Sequence, residues 1–188
     1  MPQLDNLVQR CQMGELAAFS ELFSLQEARI YRLAMSILQN EQDAEDAVQD
    51  AYLRVFERIK HFQGDAAFQT WMTTIVVNLC RDKIRRNKVR RALSLDWIHS
   101  RPSEDNVVEE VFRRQRQRRL WSYVNQLDEK HRLPVILHYH ERLSCDEVAH
   151  VLGIRTSVVH SRLNTARQCL RHMMKTQSAG DGKLVSEF

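Results

Sequence analysis

The chain has 188 residues, 43% hydrophobic and 28% charged, the balance of a soluble protein with a real core. Only 5 Gly and 3 Pro argue for mostly helix with few turns, and no apolar run is long enough to span a bilayer. With no signal-peptide pattern either, a cytoplasmic protein without membrane insertion is expected.

The first elements in chain order are helical, from Leu4 to about Asn87. Phe19, Leu22, Phe23, Ile30, Leu33, Ala34, Ile37 and Leu38 form one long amphipathic stretch. Ala44, Val48, Ala51, Val55 and Ile59 form a second stripe. That second helix is acidic, with five acids and no base between Glu41 and Asp50. Its polar face carries Asp43, Asp46, Gln49, Asp50 and Arg54. Phosphate would repel these carboxylates, so a basic protein partner is the better reading. The helix dipole accounts for acids in the first turn, but less well for Asp50.

After the loop "HFQGDAAF", a third helix is predicted to bury Phe68, Met72, Ile75 and Leu79. Its opposite side carries Trp71, Thr74, Asn78, Arg81 and Arg85, recurring at three and four residues. An aromatic ring, two hydrogen-bonding side chains and two arginines in one row suit unstacked bases and phosphates. Gly64, Asp65 and Phe68 could edge a pocket beside them. Between Arg81 and Arg91 stand seven bases against one acid, so acid and base are segregated along the chain.

From Lys88 to Val108 the sequence loses its period, and Ser, Pro, Asp and Asn mark a flexible linker. A second helical domain follows. Pro134 should begin or disturb its helix, because it lacks an N–H. Near the end, "SCDEVAHVLGIRTSVVHSRLNTAR" (144–167) writes two short helices around Gly153, the pattern of a helix-turn-helix. Val159, Leu163, Ala166 and Leu170 form the buried stripe of the second of these, with Thr156 or Ser157 as its cap. Ser157, His160, Ser161, Asn164 and Thr165 then face outward, where they can lie along a major groove. Arg155, Arg162 and Arg167 flank them, placed for phosphate. His160 and Asn164 are the candidates for base choice, since Asn can bond adenine through two hydrogen bonds.

No enzyme site assembles: there is no glycine-rich phosphate loop, HExxH or GxSxG. Cys11, Cys80, Cys145 and Cys169 are widely separated and give neither zinc spacing nor a disulfide framework. The expectation is a binding protein with no catalytic residue, metal or cofactor.

Three motifs in order, "DAEDAVQDAYLRVF" (43–56), "FQGDAAFQTWMTTIVVNLCRDKIRR" (62–86) and "CDEVAHVLGIRTSVVHSRLNTARQCL" (145–170), resemble the extracytoplasmic-function sigma factors of bacteria. The resemblance covers about Leu4 to Lys175. It implies an all-α protein with a sigma-2 helix bundle (1–88), a linker (89–108) and a sigma-4 helix-turn-helix domain (109–175). The tail (176–188) has no periodic apolar pattern and is expected to be disordered. The resemblance further implies that the acidic helix binds core RNA polymerase on the clamp coiled coil of the largest subunit. The Gly64–Phe68 loop and the Trp71–Arg85 helix would recognise and help melt the −10 promoter element. Residues 155–167 would read the −35 element, from Arg155, Thr156 and Ser157 onward. Apolar linker residues Leu93, Leu95, Trp97 and Ile98 would find surfaces in a polymerase channel, and an anti-sigma factor is a further implied partner. The chain departs from the family at Asp128, where proline is usual, at Arg142, where glycine is frequent, and at "RTSVVHS" (155–161). A turn of different geometry at Arg142 and an altered helix start are therefore expected. The competing reading is a helix-turn-helix repressor or activator bound to duplex DNA alone, which leaves the acidic helix and the Trp71 row without a task.

Overall fold

The computed structural model describes residues 2–64, 66–93 and 119–177. They form two compact helical units, one on each side of the undescribed stretch from 94 to 118. The linker residues Leu95, Trp97 and Ile98 lie outside the described residues, as do Asp65 and the tail from 178 onward.

The first unit contains α1 (Pro2–Gln12), α2 (Leu16–Leu38), α3 (Glu41–Arg58), a 3-10 turn (Ile59–His61) and α4 (Phe68–Leu93). Most of the stripes read from the sequence are buried: Leu22, Ile30, Leu33, Ala34 and Ile37 on α2, and Ala44, Val48, Ala51 and Val55 on α3, while Phe19, Phe23 and Leu38 of α2 are only half-buried. Alanines on α3 leave little side chain in the way, so α3 packs closely on both α2 and α4. Its start is fixed by Asn40, whose side-chain oxygen accepts the Asp43 N–H at 2.8 Å.

On α4 the buried stripe is rotated from the expected one. Met72, Thr73, Val76, Val77 and Cys80 are buried, while Ile75 and Leu79 are only half-buried. The hydroxyl of Thr73 makes this possible by donating to the Gln69 carbonyl, so its polar atom enters the interior satisfied. Burial pushes the Cys80 thiol up to about 12, which makes it a packing group rather than a nucleophile. The helix also runs through Leu93, into the stretch read as linker. Lys and Arg are good helix formers and no Gly or Pro interrupts them there, so helix persists without an apolar stripe.

The second unit begins with helical residues 119–126 and continues with α5 (Glu129–Val135), a π-helical turn (Ile136–His140), α6 (Cys145–Leu152) and α7 (Thr156–Gln177). Thr176 and Gln177 thus belong to α7 and not to a tail. Val159, Leu163, Ala166 and Leu170 are all buried as expected, and Met174 extends the stripe by one more turn. α5 packs against α7, and Pro134 lies inside α5 rather than at its start. The ladder recovers downstream through wider bonds, with the Glu141 N–H reaching the Ile136 carbonyl at 3.1 Å.

Asp128 stands where the family usually has proline, and it caps α5 by accepting the His131 N–H at 3.2 Å. Partial desolvation pushes the Asp128 carboxyl up, but the His131 backbone N–H, the His131 ring and Lys130 together hold it below its ordinary value. A carboxyl with a lowered folded pKa contributes stability that is complete above its unfolded pKa, about 3.9. That contribution is lost as pH falls through the lowered folded value. Acid titration of an Asp128→Asn variant should therefore lose stability less steeply below about pH 4 than the parent. Equal slopes by circular dichroism would remove Asp128 from the acid response.

The turn at Arg142 keeps the left-handed conformation a glycine would adopt, with φ +58°, instead of changing geometry. It is held by the Leu143 N–H donating to the Leu137 carbonyl at 3.1 Å, and by His138 Nδ1 lying 2.8 Å from the Leu143 carbonyl oxygen. A side chain in this region costs about 1–2 kcal/mol, and Arg142 is exposed, so it loses little when removed. Arg142→Gly should raise stability by about 0.5–1 kcal/mol after the greater chain entropy of glycine is subtracted. The denaturation midpoint of the variant decides this, and a fall would show that the guanidinium contributes more than the strain removes.

Candidate polymerase and nucleic-acid interfaces

Three polar surfaces stand out, two on the first unit and one on the second. On α3, Asp46, Gln49 and Asp50 are exposed on the side opposite Ala44, Val48, Ala51 and Val55. Asp43 and Arg54 sit toward one flank of that face. Asp43 is turned to α4, where Asn87 Nδ2 donates to its Oδ2 at 3.0 Å. Lys83 of α4 reaches both acids, with Nζ 2.7 Å from Asp46 Oδ2 and 3.4 Å from Asp43 Oδ1. Leu53, unremarked in the sequence, is 63% exposed in line with Gln49 and Asp50. It falls off the buried stripe by its spacing, which was the available signal. The face is therefore acidic with an apolar centre.

On α4, Trp71, Thr74, Asn78, Arg81 and Arg85 lie opposite the rotated stripe of Thr73, Val76, Val77 and Cys80, so the row survives the correction. Asn78, Arg81 and Arg85 are exposed, while Thr74 is half-buried and donates its hydroxyl to the Thr70 carbonyl at 3.0 Å. Arg85 also pairs with the half-buried Asp82 at 3.0 Å. Trp71 is neither core nor free. It is half-buried, with ring centroids 5.1 Å from Phe62 and 5.6 Å from Phe68. Phe68 is buried at 4% exposure, so it supports the loop from beneath and does not edge an open pocket. Phe62, missed in the sequence, anchors the loop start, because Gln12 Nε2 donates to its carbonyl at 2.7 Å. Gly64 is exposed at φ +80° with open space where a Cβ would point, so the loop needs its conformation and not its small size.

On the second unit, the turn into α6 is closed by a reciprocal cap that the sequence spells as S-x-x-E. The Glu147 N–H donates to Ser144 Oγ at 3.2 Å, and the Ser144 N–H to Glu147 Oε2 at 2.8 Å. Gly153, at φ +65°, turns the chain toward α7. Neither Thr156 nor Ser157 caps α7. The helix begins at Thr156 itself, and the Arg155 carbonyl accepts the Val159 N–H at 3.2 Å. Thr156 Oγ1 instead donates to Asp146 Oδ1 at 2.8 Å, tying α6 to the start of α7. Ser157, His160, Ser161 and Asn164 are exposed in one row, which Gln168 and Arg171 continue. Arg155 is exposed, whereas Arg162, Thr165 and Arg167 are half-buried flanks. Arg167 is oriented by Tyr139, its Nε donating to the phenol oxygen at 2.9 Å.

Two segments of the chain, one within each unit, match known sequence families. Residues 22–90 match Sigma-70 region 2, and residues 123–172 match Sigma-70, region 4. The chain belongs to the sigma-70 family, in its extracytoplasmic-function group. It is 27% identical over 177 residues to the ECF RNA polymerase sigma factor SigW of Bacillus subtilis, a match covering 89% of this chain and 95% of that one. Against the ECF RNA polymerase sigma factor SigE of Mycolicibacterium smegmatis it is 31% identical over 166 residues, covering 87% of this chain and 64% of the relative. Its fold is shared with the sigma factor RpoE of Bartonella quintana, solved with the anti-sigma factor NepR. The TM-score is 0.66 at 20% identity, over 84% of this chain and 96% of that one.

A sigma factor acts at transcription initiation, and region 2 and region 4 follow one another here in that order. The reading as a free-standing repressor or activator is not favoured, because it has no place for a region 2 match. No helix among the described residues is long and apolar enough to cross a membrane.

Proposed function

We propose that this sigma factor docks on core RNA polymerase through the α3 face of Asp46, Gln49, Asp50 and Leu53, with Asp43 and Arg54 at its edge. The partner fitted to that face is the clamp coiled coil of the largest subunit. The α4 row and the Gly64–Phe68 loop then engage the melted −10 strand, Trp71 and Asn78 on bases, Arg81 and Arg85 on phosphates. Asp65 belongs to this set by sequence alone. The α7 row engages the −35 element in the major groove. The observation that carries the reading is the α4 row, because a half-buried Trp beside an exposed Asn and two arginines offers a stacking ring, a hydrogen-bonding side chain and phosphate partners together, the set that single-stranded DNA takes. An anti-sigma factor is a fitting regulator, as RpoE of Bartonella quintana was solved with one. The proposed limits of the two parts are 1–88 and 109–175, with 89–108 between them.

Reversal of the α3 face tests the first contact. Asp46→Lys with Asp50→Lys should weaken core binding about five- to thirtyfold, because several exposed pairs of about 0.2–1 kcal/mol act together. The loss should shrink as salt is raised, with helical content by circular dichroism unchanged. Core affinity equal to the parent would move the docking face elsewhere.

A further inference from the structure

The acids that would receive polymerase are already partly occupied. Lys83 Nζ stands 2.7 Å from Asp46 Oδ2 and 3.4 Å from Asp43 Oδ1, on a side chain only 19% exposed. It comes from the helix that would carry the −10 contacts, yet it lies off the Trp71, Asn78 and Arg85 row, nearer the buried side. In this position it faces α3 and not a strand bound along that row. Asn87, one turn on, holds Asp43 from the same helix. Asp46, by contrast, is 56% exposed and lies within the outward face, so its second oxygen and its solvent side remain open to another cation.

We infer that Lys83 is a built-in competitor for the polymerase contact, an intramolecular cation that an incoming basic side chain must displace from Asp46. The inference rests on the docking reading above. A carboxylate shared with an internal lysine gives less net attraction to a basic partner than a free one, since part of its charge is already balanced at contact distance. The pair is less screened than an open surface pair because the lysine stem is buried along the α3–α4 seam. Displacement is local. It changes α3–α4 ties at Asp46 while Asn87 keeps Asp43 in place, so the two helices need not separate. Coupling between sites is reciprocal, so whatever loosens Lys83 favours core binding, and core binding loosens Lys83.

The test is a two-by-two cycle on the full chain, with core polymerase binding as the readout. Lys83→Met keeps the apolar stem and removes the charge. It should bind core about two- to fivefold more tightly than the parent, the range one such pair is worth. In an Asp46→Asn background the same change should give a clearly smaller gain, because only the longer pair with Asp43, at 3.4 Å, is then left to release. Lys83→Gln keeps an N–H donor near Asp43 if the methionine variant is poorly folded, and it should show a gain of the same sign. Lys83→Arg retains the pair and should match the parent. Two results overturn the inference in distinguishable ways. If Asp46→Asn weakens core binding but neither Lys83→Met nor Lys83→Gln tightens it, Lys83 is only a structural tie. If Asp46→Asn with Asp50→Asn leaves core affinity unaltered, the docking reading itself fails and the inference falls with it.

Discussion

Trp71→Ala is expected to depress promoter opening by about five- to 150-fold, the equivalent of one lost base–aromatic stack of about 1–3 kcal/mol. The same ring also packs on Phe62 and Phe68, and an aromatic pair is worth about 0.5–1.5 kcal/mol beyond its buried area. Some loss of thermal stability is therefore part of the expected result. Binding of the holoenzyme to a single-stranded −10 oligonucleotide at low temperature separates the two effects. A stacking tryptophan leaves that binding impaired in the alanine variant, with partial recovery in Trp71→Tyr. Normal single-strand binding by a less stable alanine variant would show that Trp71 serves only the loop cluster. Arg85→Ala gives the contrasting signature. It should weaken binding evenly across promoters and lower the salt slope by about one unit.

The second large effect is expected on α7. His160→Ala with Asn164→Ala removes two adjacent exposed side chains of the row that starts at Ser157. Each lost base contact is worth about 1–3 kcal/mol of discrimination, so the pair should cost at least tenfold on promoters that depend on a −35 element. Core binding should be retained, since both side chains are exposed and lie off the buried stripe of Val159, Leu163, Ala166 and Leu170. A selection from a randomised −35 library should show relaxed preference at the positions they face. Unchanged preference would defeat the assignment, and the start of α7 at Thr156 would then direct attention to Ser157 and Ser161. Leu163→Ala is the useful contrast: truncating so buried a leucine costs about 2–5 kcal/mol, and it should abolish −35 dependence by unfolding the unit.

Much of this protein was legible because a helix carries its own periodicity. Spacing alone separated Leu22, Ile30 and Ile37 from the surface of α2, and Val159, Leu163 and Leu170 from that of α7. It fails on α4, where spacing and hydrophobicity point to Ile75 and Leu79, whereas Thr73, Val76 and Val77 take the interior. A threonine that satisfies its hydroxyl on its own helix can be buried beside valines, and composition gives no warning of it. The cap of α6 was different. Ser144 and Glu147 spell it openly at the spacing a reciprocal cap requires.

By itself the sequence determined that the chain is helical in two parts, which side of most helices is buried, and the order of the motifs that place it among sigma factors. Each of these depends on residues within a few turns of one another. Only the tertiary structure decided that Lys83 meets Asp46 from 37 positions away. It alone placed Trp71 half inside a ring cluster with Phe62, and kept Arg142 left-handed where glycine would be easier. The reason is physical. Helical period fixes the direction of a side chain about its own axis. What stands in that direction belongs to another helix, and the packing of the whole unit selects it.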